Sequence, residues 1–258
     1  MEFSNSGYSL VNGINMYYEM YGSGKPLVIL HGGGSTIQTS FGRIIPGLAE
    51  NRQVIGIELQ AHGRTEDRNA PLSFEQDADD VAGLLANLHI SAADFIGFSN
   101  GGNTAMQVAI RHKNLVKKLV VCSSIFKREG VVDGFWGFME KASLANMPQQ
   151  LQDTYIQFSP NPQNLQLFHD KCQRRMLDFK DWPDAYLQSI RSPALIIIGD
   201  ADMDRPEHAV AMHRLMPNSR LAILPGGHGA YLGEITTLSN GQWTAADATA
   251  MIQRFLSE

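Results

Sequence analysis

Ser99, Asp202 and His228 are the residues whose types and spacing could do chemistry together. A serine hydroxyl is a poor nucleophile until a base takes its proton. A histidine base in turn needs a carboxylate to fix its tautomer and orientation. Ser99 stands in Gly97-Phe98-Ser99-Asn100-Gly101, where the apolar run from Ala93 ends and small residues recur at helical spacing. This predicts a buried strand, a sharp turn and a helix, with Ser99 strained at the apex. Gly97 and Gly101 are expected where strand and helix nearly touch, because a Cβ at either place would collide. The same turn aims the Asn100 N–H at whatever Ser99 attacks. The plain alternative is a glycine-rich connection carrying an incidental serine, so the rest of the chain must decide.

Asp202, in Gly199-Asp200-Ala201-Asp202, follows the apolar run Ala194 to Ile198. His228, in Pro225-Gly226-Gly227-His228-Gly229, follows Leu221 to Leu224. Each thus falls in a loop just past an expected strand, where position is fixed but backbone constraint is loose. The order serine, aspartate, histidine is the one expected of a Gly-x-Ser-x-Gly elbow. Asp200 and Asp204 flank Asp202; Asp200 is read as holding the loop by accepting from nearby amides. His31-Gly32-Gly33-Gly34 follows the run Leu27 to Leu30 and offers amides that no side chain screens. Gly33 N–H with Asn100 N–H is the expected oxyanion pair; a flexible turn is the alternative for the glycines.

The other histidines suit structural places. His31 and His62 are read as loop ties, His89, His112 and His213 as helix-end residues, and His208 as opening a helix. His169 is read as a surface residue, contact with a ligand being its other option. No set of histidines, cysteines and carboxylates has metal-ligand spacing, so no metal is expected.

The elements that must position these residues follow from the hydrophobic pattern. Strands are expected at Tyr8–Val11, Ile14–Tyr21, Leu27–Leu30, Val54–Ile57, Leu115–Cys122, Ala194–Ile198 and Leu221–Leu224, besides the one leading to Ser99. Asn12-Gly13 predicts a hairpin turn between the first two. Ser73 is placed as the N-cap of a helix through Leu88, and further helices are expected near 41–49, 207–216 and 245–256. Such alternation argues a mostly parallel sheet with helices on both faces. The alternation stops between residues 125 and 190, which hold 10 of the 22 aromatic residues and four of the prolines. That segment reads as a helical cap, giving a core of 1–124 and 191–258. Phe135, Trp136, Phe138, Phe158 and Trp182 are the expected lining of an apolar pocket.

Composition bounds the partners. A net charge of −5 and a pI near 5.9 disfavour nucleic acid and anionic membranes. Two cysteines are too few for a disulfide framework, and Cys122 reads as a core residue. The first residues lack the basic and apolar regions of a signal peptide, and no apolar run could span a bilayer. A cytoplasmic location and a small-molecule substrate are therefore expected, with oligomeric state left open.

Taken together, these motifs resemble the α/β-hydrolase superfamily along essentially the whole chain. The matching pieces are His31-Gly32-Gly33-Gly34, His62-Gly63-Arg64-Thr65, Gly97 to Gly102, Gly199 to Asp202 with Pro206, and Gly227-His228. The resemblance implies an eight-stranded sheet, a cap after the sixth strand, no cofactor or metal, and Ser99, Asp202 and His228 as nucleophile, acid and base. Serine at the elbow sets aside dehalogenases and epoxide hydrolases. Phe98, Asn100 and a central cap look more like small esterases, perhydrolases and C–C bond hydrolases. The stretch Tyr231 to Trp243 departs from the usual short lead into the last helix. The expectation is a serine hydrolase of a small, mostly apolar ester or related acyl compound. The alternatives are a ligand receptor or scaffold with little turnover, and C–C hydrolase or lyase chemistry at the same site.

Overall fold

The computed structural model describes residues 4–238 and 245–258. Residues 239–243, the end of the polar stretch after His228, lie outside the described residues. Eight strands form one sheet in the order β1-β2-β4-β3-β5-β6-β7-β8. β1 (Asn5–Val11) and β2 (Ile14–Tyr21) make an antiparallel hairpin, turning at Asn12 and Gly13, both at positive φ. β2 is antiparallel to β4 (Arg52–Ile57). From there every pairing is parallel, through β3 (Lys25–Leu30), β5 (Ala93–Phe98), β6 (Val116–Cys122), β7 (Ala194–Gly199) and β8 (Ser219–Leu224). The inner strands are buried on both faces, which is why they read as unbroken apolar runs.

Two core layers flank the sheet. Val28, Leu30, Phe95, Val121 and Ile196 pack with α3 (Phe74–Asn87), α4 (Asn100–Arg111) and α9 (Pro206–Leu215). Their alternates Leu27, Ile29, Ile96, Val120 and Ile197 pack on the other face with α1 (Ile37–Phe41), α2 (Ile45–Leu48) and α10 (Ala245–Ser257). Ser73 Oγ accepts the Gln76 N–H at 3.1 Å and starts α3. Where one helix near 41–49 is expected, two short ones form. Thr36 caps the first early, and Pro46 lies in the first turn of the second, where its missing N–H costs nothing.

Residues 125–190 leave the sheet after β6 and carry α5 (Phe135–Lys141), α6 (Gln149–Phe158), α7 (Leu165–Leu177) and α8 (Asp184–Ser189). The two ends of this segment share the core beneath it: Phe126, Phe179, Trp182, Leu187 and Ile190 pack in the α3 and α4 layer. α7 is tied down by a buried Arg175–Asp77 pair at 2.7 Å and by Lys171 on Asp67 at 2.5 Å. Gln173 Nε2 donates to the Met139 and Ala142 carbonyls at 2.6 and 3.0 Å, linking α5 to α7. No helix among the described residues is long and apolar enough to cross a membrane.

Candidate active site

The site forms at the carboxyl ends of β3, β5, β7 and β8, where loops leave a parallel sheet. Ser99 occupies the turn between β5 and α4 at φ 53°, ψ −123°, a conformation few residues other than glycine adopt. Such strain is held at about 1–3 kcal/mol by surroundings that over-determine it. Ser99 N–H donates to the Cys122 carbonyl at 2.8 Å. The Ser99 carbonyl accepts from Gly102 N–H and from the Ser124 hydroxyl, both at 2.8 Å. A Cβ on Gly97 would lie 2.2 Å from the Gly101 oxygen, and one on Gly101 would lie 2.0 Å from that of Leu30. No side chain fits at either position.

The glycine loop after β3 is held by the two histidines read as loop ties. His31 Nε2 accepts the Leu59 N–H at 3.0 Å, so its Nδ1–H donates to the Gly32 carbonyl at 2.8 Å. His62 Nε2 accepts the Gly34 N–H at 3.1 Å, and its Nδ1–H donates to the Gln60 carbonyl at 2.8 Å. Burial keeps both rings neutral, drawing His31 down to about 4 and His62 well below its ordinary value. Gly32 N–H is taken by Ser40 Oγ at 3.2 Å. Gly33 N–H, between these engaged amides, has no partner among the described residues. The first amide of α4, at Asn100, cannot have one within its helix. The two segments touch, since a Cβ on Gly33 would lie 2.3 Å from Asn100 Nδ2.

His228 and Asp202 meet from the ends of β8 and β7. Asp202 Oδ1 accepts from His228 Nδ1–H at 2.7 Å and from Asp204 N–H at 3.2 Å. Its Oδ2 accepts from the Ser123 hydroxyl at 2.6 Å. Ser123 in turn lies 2.8 Å from the Tyr231 hydroxyl, which donates to the Ile197 carbonyl at 3.2 Å. Three donors therefore fix the Asp202 carboxylate. Burial opposes ionisation of Asp202, but His228 and these bonds outweigh it and hold the carboxyl below its usual range. Burial likewise opposes a charge on His228; the Asp202, Asp204 and Glu234 carboxyls push it up, to about 9. Asp200 plays a different part, its Oδ1 accepting the Gly226 N–H at 2.8 Å between the two loops. Asp202, Asp204 and His228 bring oxygen and nitrogen atoms within 4.8 Å of one another. Asp202 Oδ1 and His228 Nδ1 are bonded to each other, which leaves a poor donor set for a metal ion.

A cavity of about 400 Å³ covers Ser99, with Gly33, Asn100 and His228 on its wall. Its apolar side is built from Phe135, Phe138, Phe168 and the methionines Met139, Met147, Met176 and Met203. Three of the five aromatic residues expected there are elsewhere, each held by a better partner. Trp136 donates its Nε1–H to the Arg128 carbonyl at 2.9 Å, with the Arg128 guanidinium 3.6 Å over its ring. Phe158 lies under the Arg64 guanidinium at 4.0 Å, and Trp182 is in the core against Phe74 and Phe179. His169 is also corrected: it is buried and lines the cavity rather than the surface. The buttress Ser123–Tyr231, Glu234 and the four methionines carry no motif that would single them out.

A family profile described as the α/β hydrolase fold matches residues 25–170. The 2-hydroxymuconate semialdehyde hydrolase of Pseudomonas sp. (strain CF600) is 35% identical over 124 residues, 45% of this chain and 44% of that one. The human serine hydrolase BPHL is 27% identical over 241 residues, covering 86% of this chain and 79% of its own. Among solved structures, the enol-lactonase from Burkholderia xenovorans LB400 superposes with a TM-score of 0.75 at 21% identity, over 97% of this chain and 100% of that one. Fold, strand order and matched profile agree: this chain belongs to the α/β hydrolase fold family.

Proposed function

We propose that this chain is a serine hydrolase that cleaves a small, mostly apolar ester or related acyl compound through an acyl-enzyme. The observation that carries the reading is the strained Ser99 on the wall of a cavity shared with His228, with two unengaged amides beside it. His228 Nε2 takes the hydroxyl proton while Nδ1–H stays on Asp202, and Ser99 Oγ adds to the carbonyl carbon. The developing oxyanion is met by Gly33 and Asn100 N–H. The protonated His228 returns its proton to the departing alcohol; water deprotonated by His228 then releases the acid and restores Ser99. The helices of residues 125–190 act as the cap that supplies the apolar wall. Incubation with a fluorophosphonate probe, followed by mass spectrometry of the labelled peptide, tests this: the label is expected on Ser99.

The C–C bond alternative draws on the relative named for 2-hydroxymuconate semialdehyde, a carboxylate. No lysine or arginine is among the described residues lining this cavity, which favours the ester reading.

Two results follow from the same geometry. His228 must be neutral to take a proton, so kcat/KM should fall as the pH drops through its raised value. A limb centred well above the ordinary imidazole value of about 6.5 is expected; a limb at or below that value would contradict the influence of the three carboxyls. Phe135→Ala should raise KM for an octanoate ester about tenfold while changing an acetate ester little, because the lost surface faces only the longer chain. Trp136→Ala, outside the cavity, should not discriminate between the two.

A further inference from the structure

The turn carrying Asp202 is pinned on both sides of Asp204. Val132 N–H donates to the Met203 carbonyl at 2.9 Å, and Arg205 N–H to that of Gly130 at 2.7 Å. Backbone pairing of Val131 with Asp204 completes the clamp and turns the Asp204 side chain into the cavity beside His228. That side chain belongs to a residue only 5% exposed, yet no donor among the described residues bonds its carboxyl oxygens. The neighbouring Arg205 is engaged elsewhere, with Nε on the Val131 carbonyl at 2.7 Å and a terminal nitrogen on Asp133 at 2.5 Å. Buried carboxyls are ordinarily paired or hydrogen-bonded.

A second carboxyl adds to the effect. Glu234, 4% exposed and on the same wall, accepts from Thr236 N–H at 2.8 Å and from its hydroxyl at 2.5 Å. His228 is the residue of opposite sign among them, and it already answers Asp202. With no lysine or arginine on the wall among the described residues, an ester entering this cavity meets uncompensated acidic groups.

We infer that the cavity selects its substrate by charge, Asp204 being the specificity residue that favours esters bearing a cationic group and disfavours those bearing a carboxylate. This rests on the serine-hydrolase reading and deepens it. Burial pushes the Asp204 carboxyl up to about 7, so it rests partly protonated and ionises fully when a cation arrives to pair with it. An anion would instead be desolvated against the two carboxyls Asp204 and Glu234, which supply the repulsive element that discriminates against it.

The test uses three compounds of nearly the same shape as inhibitors of 4-nitrophenyl butyrate hydrolysis: choline, 3,3-dimethylbutan-1-ol and 3,3-dimethylbutanoate. Choline is expected to inhibit about tenfold more strongly than the alcohol, as one partly screened buried charge would give, and the carboxylate least. Asp204→Asn, nearly the same size, should bring the choline and alcohol constants together. Butyrate turnover itself should change by a smaller factor. Equal inhibition by choline and the alcohol, or none by choline, overturns the proposal without any variant being made. Choline and the alcohol weakened alike in Asp204→Asn also overturns it, since Asp204 would then act only through His228. Loss of butyrate turnover and of fluorophosphonate labelling in the unmodified chain would instead sink the underlying reading.

Discussion

Ser99→Ala is expected to reduce kcat for 4-nitrophenyl butyrate by about 10⁶ and to abolish fluorophosphonate labelling. The loss should come without a loss of stability. The Ser99 hydroxyl has no hydrogen-bond partner among the described residues; Ser99 is fixed through its own backbone N–H and carbonyl, to Cys122, Gly102 and the Ser124 hydroxyl. The unfolding midpoint of the variant should therefore match the parent's, which separates a chemical defect from a folding one. Ser124 also lines the cavity, but its hydroxyl already donates to the Ser99 and Cys122 carbonyls at 2.8 and 3.1 Å. A label on Ser123 or Ser124 would falsify the assignment of the nucleophile.

Asp202→Asn should lower kcat by about 10⁴ with the fold intact. In the parent, Asp202 Oδ1 accepts the His228 Nδ1–H and so leaves Nε2 free to take a proton. An amide nitrogen in that place would donate to Nδ1, move the ring proton to Nε2 and remove the base. Asp200→Asn makes the useful contrast, because Asp200 touches the Gly226 amide and not the imidazole. It should disturb the loop and the unfolding midpoint while leaving most of kcat. Equal losses in the two variants would show that the carboxylates act by holding loops alone.

The sheet was legible from the chain alone for a specific reason. Strands buried on both faces tolerate little but apolar residues, so Leu27 to Leu30 and Ala194 to Ile198 announce themselves as runs. The elbow is legible because its glycines are forced by backbone contact at Gly97 and Gly101, a constraint that leaves its mark in sequence. Cavity lining is another matter. An aromatic residue in a helical segment signals burial, but burial against what depends on tertiary neighbours that sequence does not display. Trp182 is spent on the core, Phe158 on Arg64, and Trp136 on Arg128. Phe135 and Phe138 do face the cavity as expected, but methionine is flexible and carries no positional signature, so nothing in the sequence marks Met139, Met147, Met176 and Met203 as lining it. The buttress behind Asp202 was hidden likewise: Ser123 and Tyr231 are 108 residues apart and meet only in the folded chain.

The anchoring of α7 bears on how a substrate gets in and out. Arg175 and Asp77 are almost wholly enclosed, and lifting α7 from the sheet would break this pair. Lys171 on Asp67 and the Gln173 bonds to the end of α5 would have to break as well. These contacts oppose a wide opening of the helical layer on each turnover. The door is instead made of side chains: Phe138, largely exposed at the rim, and Met147 and Met203 can swing aside by rotamer changes on the picosecond-to-nanosecond scale. Traffic through such an aperture is governed by the width of the guest rather than by a slow closing step. A guest wider than the opening these three side chains can make would be turned away at the threshold before Ser99 ever meets it.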